Sequence, residues 1–402
     1  MNTYQINGET IDSIELKCLV VSRGIKVGKN VYRRFSGQYR LDISPLTCNC
    51  MHLSDGTIVQ MTDMGFHLQY LGGMLSWSNL KLLRYAAELG TPFTLEVVED
   101  KPALMHKGVF VDFVSFPPKT EFYKRKTSLG TPYVGNAVLQ GVDWVAFQCL
   151  WPCEFASAGK PCQFCFSGAE FEALAKAGKP RPKALAAADV AEIVRYAVEE
   201  AGCNSIQITG GSTFCGETEE AHIRAYLTAI GELTGSKTIP GELLLYITPP
   251  ADHGLIDDYF ALGASRIACS LELWDEARAR LVTPGKMAFT TRARHLEALE
   301  YTVEKHGAGT AFSNFIIGLE RFETLKEGAT YLAERGILPT ASVWMPMGKP
   351  VLGSMKAPDI AYYRRVKELF AELYAKYRLK PAACCGLNVC IERDIWNYST
   401  AR

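Results

Sequence analysis

From residue 142 onward, short apolar runs alternate with longer segments of helical period. VDWVAFQ (142 to 148) reads as a buried strand, AAADVAEIVRYAVEEAG (186 to 202) as a helix, and NSIQITGG as a strand ending in glycines. The cycle repeats with a helix near 218 to 232, strand LLLYIT (243 to 248), and a helix near 253 to 262. Next come strand SRIACSLE (265 to 272), a helix near 289 to 306, strand TAFSNFIIG (310 to 318) and a helix near 322 to 335. Strand LPTASVWM (338 to 345), a helix near 358 to 377 and a weaker strand around 381 to 386 complete the series. Strands joined through helices of ten or more residues pair in parallel, because a tight turn joins only antiparallel strands. About seven such units predict an α/β chain with a full or partial TIM-type (β/α) barrel. Barrel chemistry sits at the C-terminal strand ends. There the sequence places Cys149, Cys153, Gly210, Gly211, Thr248, Pro249, Glu272, Gly318, Glu320 and residues 345 to 349.

Residues 1–135 have a different texture, rich in Val, Thr, Tyr, Phe and Gly. YRLDISP, GTIVQMT, PFTLEVVE and GVFVDFVSF read as short strands between turns, and SNLKLLRYAAEL (78 to 89) is the clear helix candidate. The expected division is a mostly β N-terminal domain or extension (1–135), a barrel core (136–350), and a C-terminal part (351–402). That last part supplies a helix and strand completing or covering the barrel, with a Cys-rich tail.

With 48% apolar and 21% charged residues, the chain is expected to fold as a soluble globular protein. Lys plus Arg equals Asp plus Glu at 43 each, which gives no support for a nucleic-acid-binding surface. Arg23, Lys26, Lys29, Arg33, Arg34 and Arg40 do gather near the start, as a solvated face or a local basic groove. No basic region followed by an apolar run opens the sequence, and no stretch approaches a membrane span, so a cytoplasmic location is expected. In that setting thirteen cysteines point to thiols or metal ligands rather than a disulfide framework.

WPCEFASAGKPCQFCF (151 to 166) concentrates the cysteines, with Cys149 just upstream. Cys153, Cys162 and Cys165 lie in a loop bearing Gly and Pro, which argues against three buried core thiols. They could hold structural zinc with Cys149 as fourth ligand, or an iron–sulfur cluster that takes only three. Cys48, Cys50, Cys384, Cys385 and Cys390 form two further groups, read as buried or reactive thiols or as an auxiliary cluster site.

This loop resembles that of the radical S-adenosylmethionine (SAM) superfamily, down to the aromatic before the last cysteine in Gln163-Phe164-Cys165. The resemblance covers roughly residues 140 to 350. It implies a barrel of that type, with Cys153, Cys162 and Cys165 holding three irons of a [4Fe–4S] cluster and the fourth iron open to SAM. The Cx8Cx2C spacing departs from the commonest pattern and is similar to that of elongator-type tRNA-modifying members; Cys149 in place of Cys153 stays open. Gly210, Gly211 and Ser212 look like the family's glycine motif for the SAM amino group, with Ser212 where an acid is usual; Thr248 ends the next strand. SLELWDEARARLVTPGK (270 to 286) resembles biotin-synthase-like members. That likeness implies Glu272 on the ribose hydroxyls and Arg280, or else Arg278, on the SAM carboxylate. Residues 314 to 320 look like the adenine-packing strand, with Ile317 and Gly318 against the ring.

The activity so implied is reductive cleavage of SAM, giving a 5′-deoxyadenosyl radical that abstracts hydrogen from a small-molecule substrate. Rearrangement, bond cleavage, or sulfur or carbon insertion would follow, with flavodoxin or ferredoxin as electron donor. Tyr133, Tyr246, Glu320 and residues 344 to 347 are further cavity candidates. The competing readings are a radical SAM enzyme of tRNA modification and a non-catalytic scaffold stabilised by zinc or an iron–sulfur cluster.

Overall fold

The computed structural model describes residues 1–39, 41, 50–61, 90–134, 136–140, 143–150, 153–165, 184–214, 216–235, 239–345, 352, 356–382 and 389–400; the side chains of 148–150 and 216–218 are left aside. These residues form fifteen strands and eleven α-helices.

The N-terminal part begins with the hairpin β1 (Thr3–Ile6) and β2 (Glu9–Asp12). Helix α1 (Ser13–Arg23) follows, started by a capping box in which Asp12 accepts from Glu15 N–H while Glu15 reaches back to the Asp12 N–H. After β3 (Lys26–Val27) and α2 (Lys29–Phe35) come the pair β4 (Cys50–His52) and β5 (Ile58–Gln60). A second sheet joins β3 to β6 (Phe93–Val98), β7 (Lys101–His106) and β8 (Val109–Phe113) in that order. The expected mostly β character is therefore present, with α1 added. The 78 to 89 helix candidate lies outside the described residues.

The alternating part forms one seven-stranded sheet. Its strands are β9 (Ala137–Gln140), β10 (Trp144–Leu150), β11 (Ser205–Gly210), β12 (Leu243–Tyr246), β13 (Arg266–Ala268), β14 (Ala311–Ile317) and β15 (Leu338–Val343). Strands β10 to β15 are parallel and lie side by side in sequence order, while β9 pairs antiparallel with β10 at one edge. Val145, Ile206, Leu245, Ile267, Ala311 and Ala341 are fully buried, as expected of parallel strands covered on both faces.

The sheet curls into an open half-barrel. Trp144, Gln207, Leu244, Phe312 and Leu338, from five different strands, line one small cavity of about 30 Å³ near the strand starts. Among the described residues it does not close: β9 and β15 are its two edge strands. Residues 389–391 run antiparallel along the free edge of β15, where Val343 N–H donates to the Val389 carbonyl and Ile391 N–H to that of Ala341. The weak strand anticipated at 381 to 386 lies mostly outside the described residues, and this short antiparallel bridge covers the edge instead.

Between the strands run α3 (Glu154–Ser157), α4 (Ala187–Glu199), α5 (Gly216–Thr234), α6 (Gly254–Ala261), α7 (Glu276–Val282), α8 (Arg292–His306) and α9 (Phe322–Glu334). Helices α10 (Ile360–Tyr377) and α11 (Glu392–Thr400) follow β15. A buried polar seam ties α1 to this end of the chain. Lys17 donates to Asp394 at 2.7 Å, Lys367 to Glu15 at 2.7 Å and to Asp12, and Arg364 to Glu15 at 3.0 Å. Burial alone would raise the Glu15 carboxyl, yet Arg364 and Lys367 hold it below its ordinary value. Among the described residues no helix is long and apolar enough to cross a membrane.

Candidate active site at the C-terminal strand ends

The cysteine loop leaves β10 and begins with the single turn α3, for which Cys153 is the N-cap residue. Cys153, Cys162 and Cys165 are outside any disulfide, each half-buried. The loop is fastened on two sides. Glu154 N–H donates to the Ser212 carbonyl at 2.8 Å, and Gln163 N–H to the Val282 carbonyl at 2.7 Å. Phe164, between the last two cysteines, packs on the small apolar cluster of Leu273, Val282, Leu319 and Trp344. Cys165 N–H closes the Cx2C turn on the Cys162 carbonyl at 3.2 Å.

Both glycine-bearing turns meet this loop at close range. A Cβ on Gly211 would fall 2.3 Å from the Cys153 Cα, so the turn after β11 can lie there only as glycine. A Cβ on Gly285 would come within 2.6 Å of the Lys160 carbonyl oxygen and of the Phe155 Cβ. The Thr-Pro-Gly-Lys turn is thereby pressed onto the same loop from the other side.

Glu272 follows β13 with a positive φ of 70°, a strained backbone for a residue with a Cβ. The conformation is fixed by a local ladder: Glu272 N–H donates to the Asn314 carbonyl and Ile316 N–H to the Glu272 carbonyl, each at 2.9 Å. Its carboxylate accepts from Lys286 Nζ at 2.7 Å and from Asn314 Nδ2 at 3.3 Å. Lys286 also donates to the Ser270 carbonyl at 2.7 Å. Burial by itself would lower the Lys286 pKa, but Glu272 and the neighbouring Cys162 and Cys165 raise it, so the ammonium stays charged. Burial pushes the Cys162 thiol well up. Lys286 opposes this, while Cys165, Glu272 and Cys153 add to it. These mutual influences place all three thiols, the glutamate and the lysine in one electrostatic neighbourhood.

Two glutamates hold the rim together from behind. Glu219, on α5, accepts from Thr248 N–H at 2.6 Å and from the Thr213 hydroxyl at 3.1 Å, clamping the tips of β11 and β12; burial lifts its pKa to about 7. Thr213 N–H donates in turn to Thr248 Oγ1 at 3.3 Å. Glu320 accepts from the Trp274 and Asp275 N–H groups, each at 2.9 Å, and burial lifts it likewise to about 7. Glu320 thus braces the start of α7.

The remaining candidates divide. Arg278 donates to the Leu319 carbonyl and is half-buried, whereas Arg280 is exposed and pairs with Glu276 at 3.2 Å on α7. Ile317 is buried in the main core. Gly318 has φ 104°, which favours glycine, and its N–H donates to Tyr362 Oη at 3.1 Å. Tyr133 packs with Phe122 and with Tyr196 of α4. Tyr246 lines the cavity at the opposite end of the sheet, as does Cys390, whose Sγ lies 3.2 Å from Ser342 Oγ. Cys50 sits on β4, 3.9 Å from His52 Nε2. Cys48, Cys384, Cys385, residues 346 to 350 and the side chain of Cys149 lie outside the described residues. Trp344 is buried and Met345 half-buried.

Among the described residues, no group of three or more His, Cys, Asp or Glu side chains is arranged to hold a metal ion as it stands. Sequence reasoning missed Lys286 as a partner of Glu272, and Glu219 altogether. The TPGK turn signalled the first; the second lay hidden in the acidic first turns of α5.

No family model matches the chain. A curated relative from Chlorobaculum limnaeum, bacteriochlorophyllide c C-7(1)-hydroxylase, is 26% identical over 268 residues; the match covers 63% of this chain and 65% of the relative. Among solved structures, Streptococcus suis SuiB bound to precursor peptide SuiA aligns with TM-score 0.40 and 19% identity, covering 60% of this chain and 48% of that one.

Proposed function

We propose that the chain is a radical SAM enzyme acting on a small-molecule substrate. The observation that carries this reading is the packing of Gly211 onto Cys153, which joins the glycine turn of β11 to a three-thiol loop at the C-terminal strand ends. The donor set suits a [4Fe–4S] cluster: three half-buried cysteines on one loop, none of them in a disulfide, with a mostly buried ammonium, Lys286, near two of them. When bound, such a cluster supplies the electron that splits SAM to methionine and a 5′-deoxyadenosyl radical, which takes hydrogen from a substrate carbon.

In this reading Cys153, Cys162 and Cys165 hold the cluster, and the Gly210, Gly211 and Ser212 backbone receives the SAM amino group beside Thr248. Glu272 accepts from the ribose, held in place by Lys286 and Asn314. We assign the SAM carboxylate to Arg278, because Arg280 points to solvent and is paired with Glu276. Adenine lies by Ile317 and Gly318. The relative's printed activity, hydroxylation at a named carbon of a small molecule, supports an enzyme of similar substrate class. An external reductant such as flavodoxin or ferredoxin would meet the exposed Phe214 and Phe289, which pack on Phe155 of the loop, with Lys160 beside them.

The test is anaerobic reconstitution with iron and sulfide, then dithionite and SAM, with 5′-deoxyadenosine read by chromatography. Wild type is expected to bind about four irons and form the nucleoside. Cys153→Ala should lose both, and Cys149→Ala should keep both. A protein that binds zinc, refuses the cluster and ignores SAM would overturn the reading.

A further inference from the structure

A larger cavity, about 520 Å³, lies among N-terminal elements and shares no lining residue with the cysteine loop. It is bordered by the β1–β2 hairpin, α1, the start of β6, the β7–β8 turn and the start of α10. That size suits a small organic ligand. Leu19, Phe93 and Ile360 give it apolar walls, and Arg23, His106 and Lys107 give it a cationic side.

Among the described residues, two of those polar groups lack the partners that buried polar groups ordinarily have. Arg23 is half-buried, yet no described carboxylate pairs with it; its one hydrogen bond to a described residue is a long one, Nη2 to the Pro358 carbonyl at 3.5 Å. Its Nε is shut away from water with no acceptor. His106 is 7% exposed, leans on the Phe93 ring at 5.1 Å, and has no hydrogen bond to its ring nitrogens from any described residue. The other charges around the cavity are accounted for. Lys107 Nζ donates to Asn7 Oδ1 at 2.9 Å, Asp359 caps α10 through Tyr362 N–H at 3.0 Å, and Glu9 is exposed on the hairpin.

We infer that this cavity is a binding site for a small organic anion, a carboxylate or phosphate on an apolar body, with its anionic end between Arg23 and His106. A guanidinium offers the anion two parallel N–H donors, and the imidazole adds a third from a second element. The apolar body would lie along Leu19, Phe93 and Ile360. Burial, Lys107 and Arg23 all hold the His106 imidazole below its usual value, so an anion seated there would push it back up. The site stands independently of the radical SAM reading.

The test uses the full chain and three probes: phenylbutyrate, its neutral counterpart phenylbutanol, and inorganic phosphate. Calorimetry should show phenylbutyrate binding at least ~10-fold tighter than the alcohol, with Arg23→Gln erasing the difference. Phosphate that competes with phenylbutyrate marks a site able to take either anion, and phosphate that does not compete marks a carboxylate site. In the wild type, the His106 imidazole resonance should titrate at higher pH with phenylbutyrate present. Should Arg23→Gln fail to fold by circular dichroism, Arg23→Lys, which keeps the charge but not the fork, should still lose affinity for the acid alone. Equal binding of acid and alcohol, or no binding of either anion, would overturn the inference.

Discussion

Gly211 and Cys153 are in contact so close that no other residue fits at 211: a Cβ there would lie 2.3 Å from the Cys153 Cα and 2.4 Å from its Cβ. Two loops from neighbouring strands are thereby locked into one surface. Ser212 reinforces the contact by accepting from Glu154 N–H at 2.8 Å.

Gly211→Ala should therefore move the cysteine loop rather than merely crowd it. Overpacking of this kind costs about 1–3 kcal/mol, and the backbone it meets cannot rotate aside as a side chain would. We expect a lowered melting temperature and a reconstituted iron content well below wild type. Full iron loading in Gly211→Ala would show that the contact is dispensable.

The Glu272–Lys286 pair gives a second expectation. Both side chains are mostly buried, with 11% and 16% exposed. Removing either partner strands a charge, at a cost of about 3–5 kcal/mol, whereas removing both costs much less than the sum. Urea unfolding of Glu272→Gln, Lys286→Met and the double variant measures this directly. Additive losses would mean that the two residues act separately.

The stabilisation that three buried glutamates contribute should fall as pH rises through the mildly acidic range. Burial lifts Glu219, Glu320 and Glu392 each from 4.5 to about 7. Their folded-state pKa values thus exceed the unfolded ones, so the native state holds the proton more tightly. Their contribution is complete below about 4.5 and is lost as pH climbs to about 7, by at most roughly 3 kcal/mol per group. Glu219→Gln keeps an acceptor for Thr248 N–H and should flatten part of that slope in apo-protein urea titrations. An unchanged slope would refute the assignment to Glu219.

The two arginines of α7 should separate cleanly. Arg280→Ala removes an exposed pair with Glu276 and is expected to change stability by less than ~0.5 kcal/mol and SAM affinity not at all. Arg278→Ala should weaken SAM binding about tenfold or more in equilibrium dialysis. The reverse pattern would return the carboxylate role to Arg280.

Much of the half-barrel was legible because its strands are short apolar runs and its helices carry a one-sided stripe, as in the α4 sequence 187 to 199. Helix α1 escaped for the opposite reason. Ten of its eleven residues are buried, Ser13, Glu15, Lys17 and Ser22 among them, so its polar residues do not mark an exposed face. Its one local signal was the Asp12-x-x-Glu15 box. At the site, the cysteines and glycines announced themselves by spacing. Which arginine faces the rim did not, since Arg278 and Arg280 differ only in how α7 is turned about its axis. Glu219 was invisible because a single acid in an acidic stretch carries no sign that its carboxylate turns inward to meet two strand ends.

The seam between α1 and α11 bears on the order in which the molecule can assemble. Lys17 and Asp394 are 377 residues apart in the chain, and Lys17 has only 2% of its side chain exposed. A lysine enclosed without its carboxylate is costly, so α1 cannot settle until the distal helix has been synthesised and has docked. A growing chain on the ribosome would hold α1 in waiting while the parallel strands collect. Helix α11, once made, then acts as the bolt that locks α1 in place.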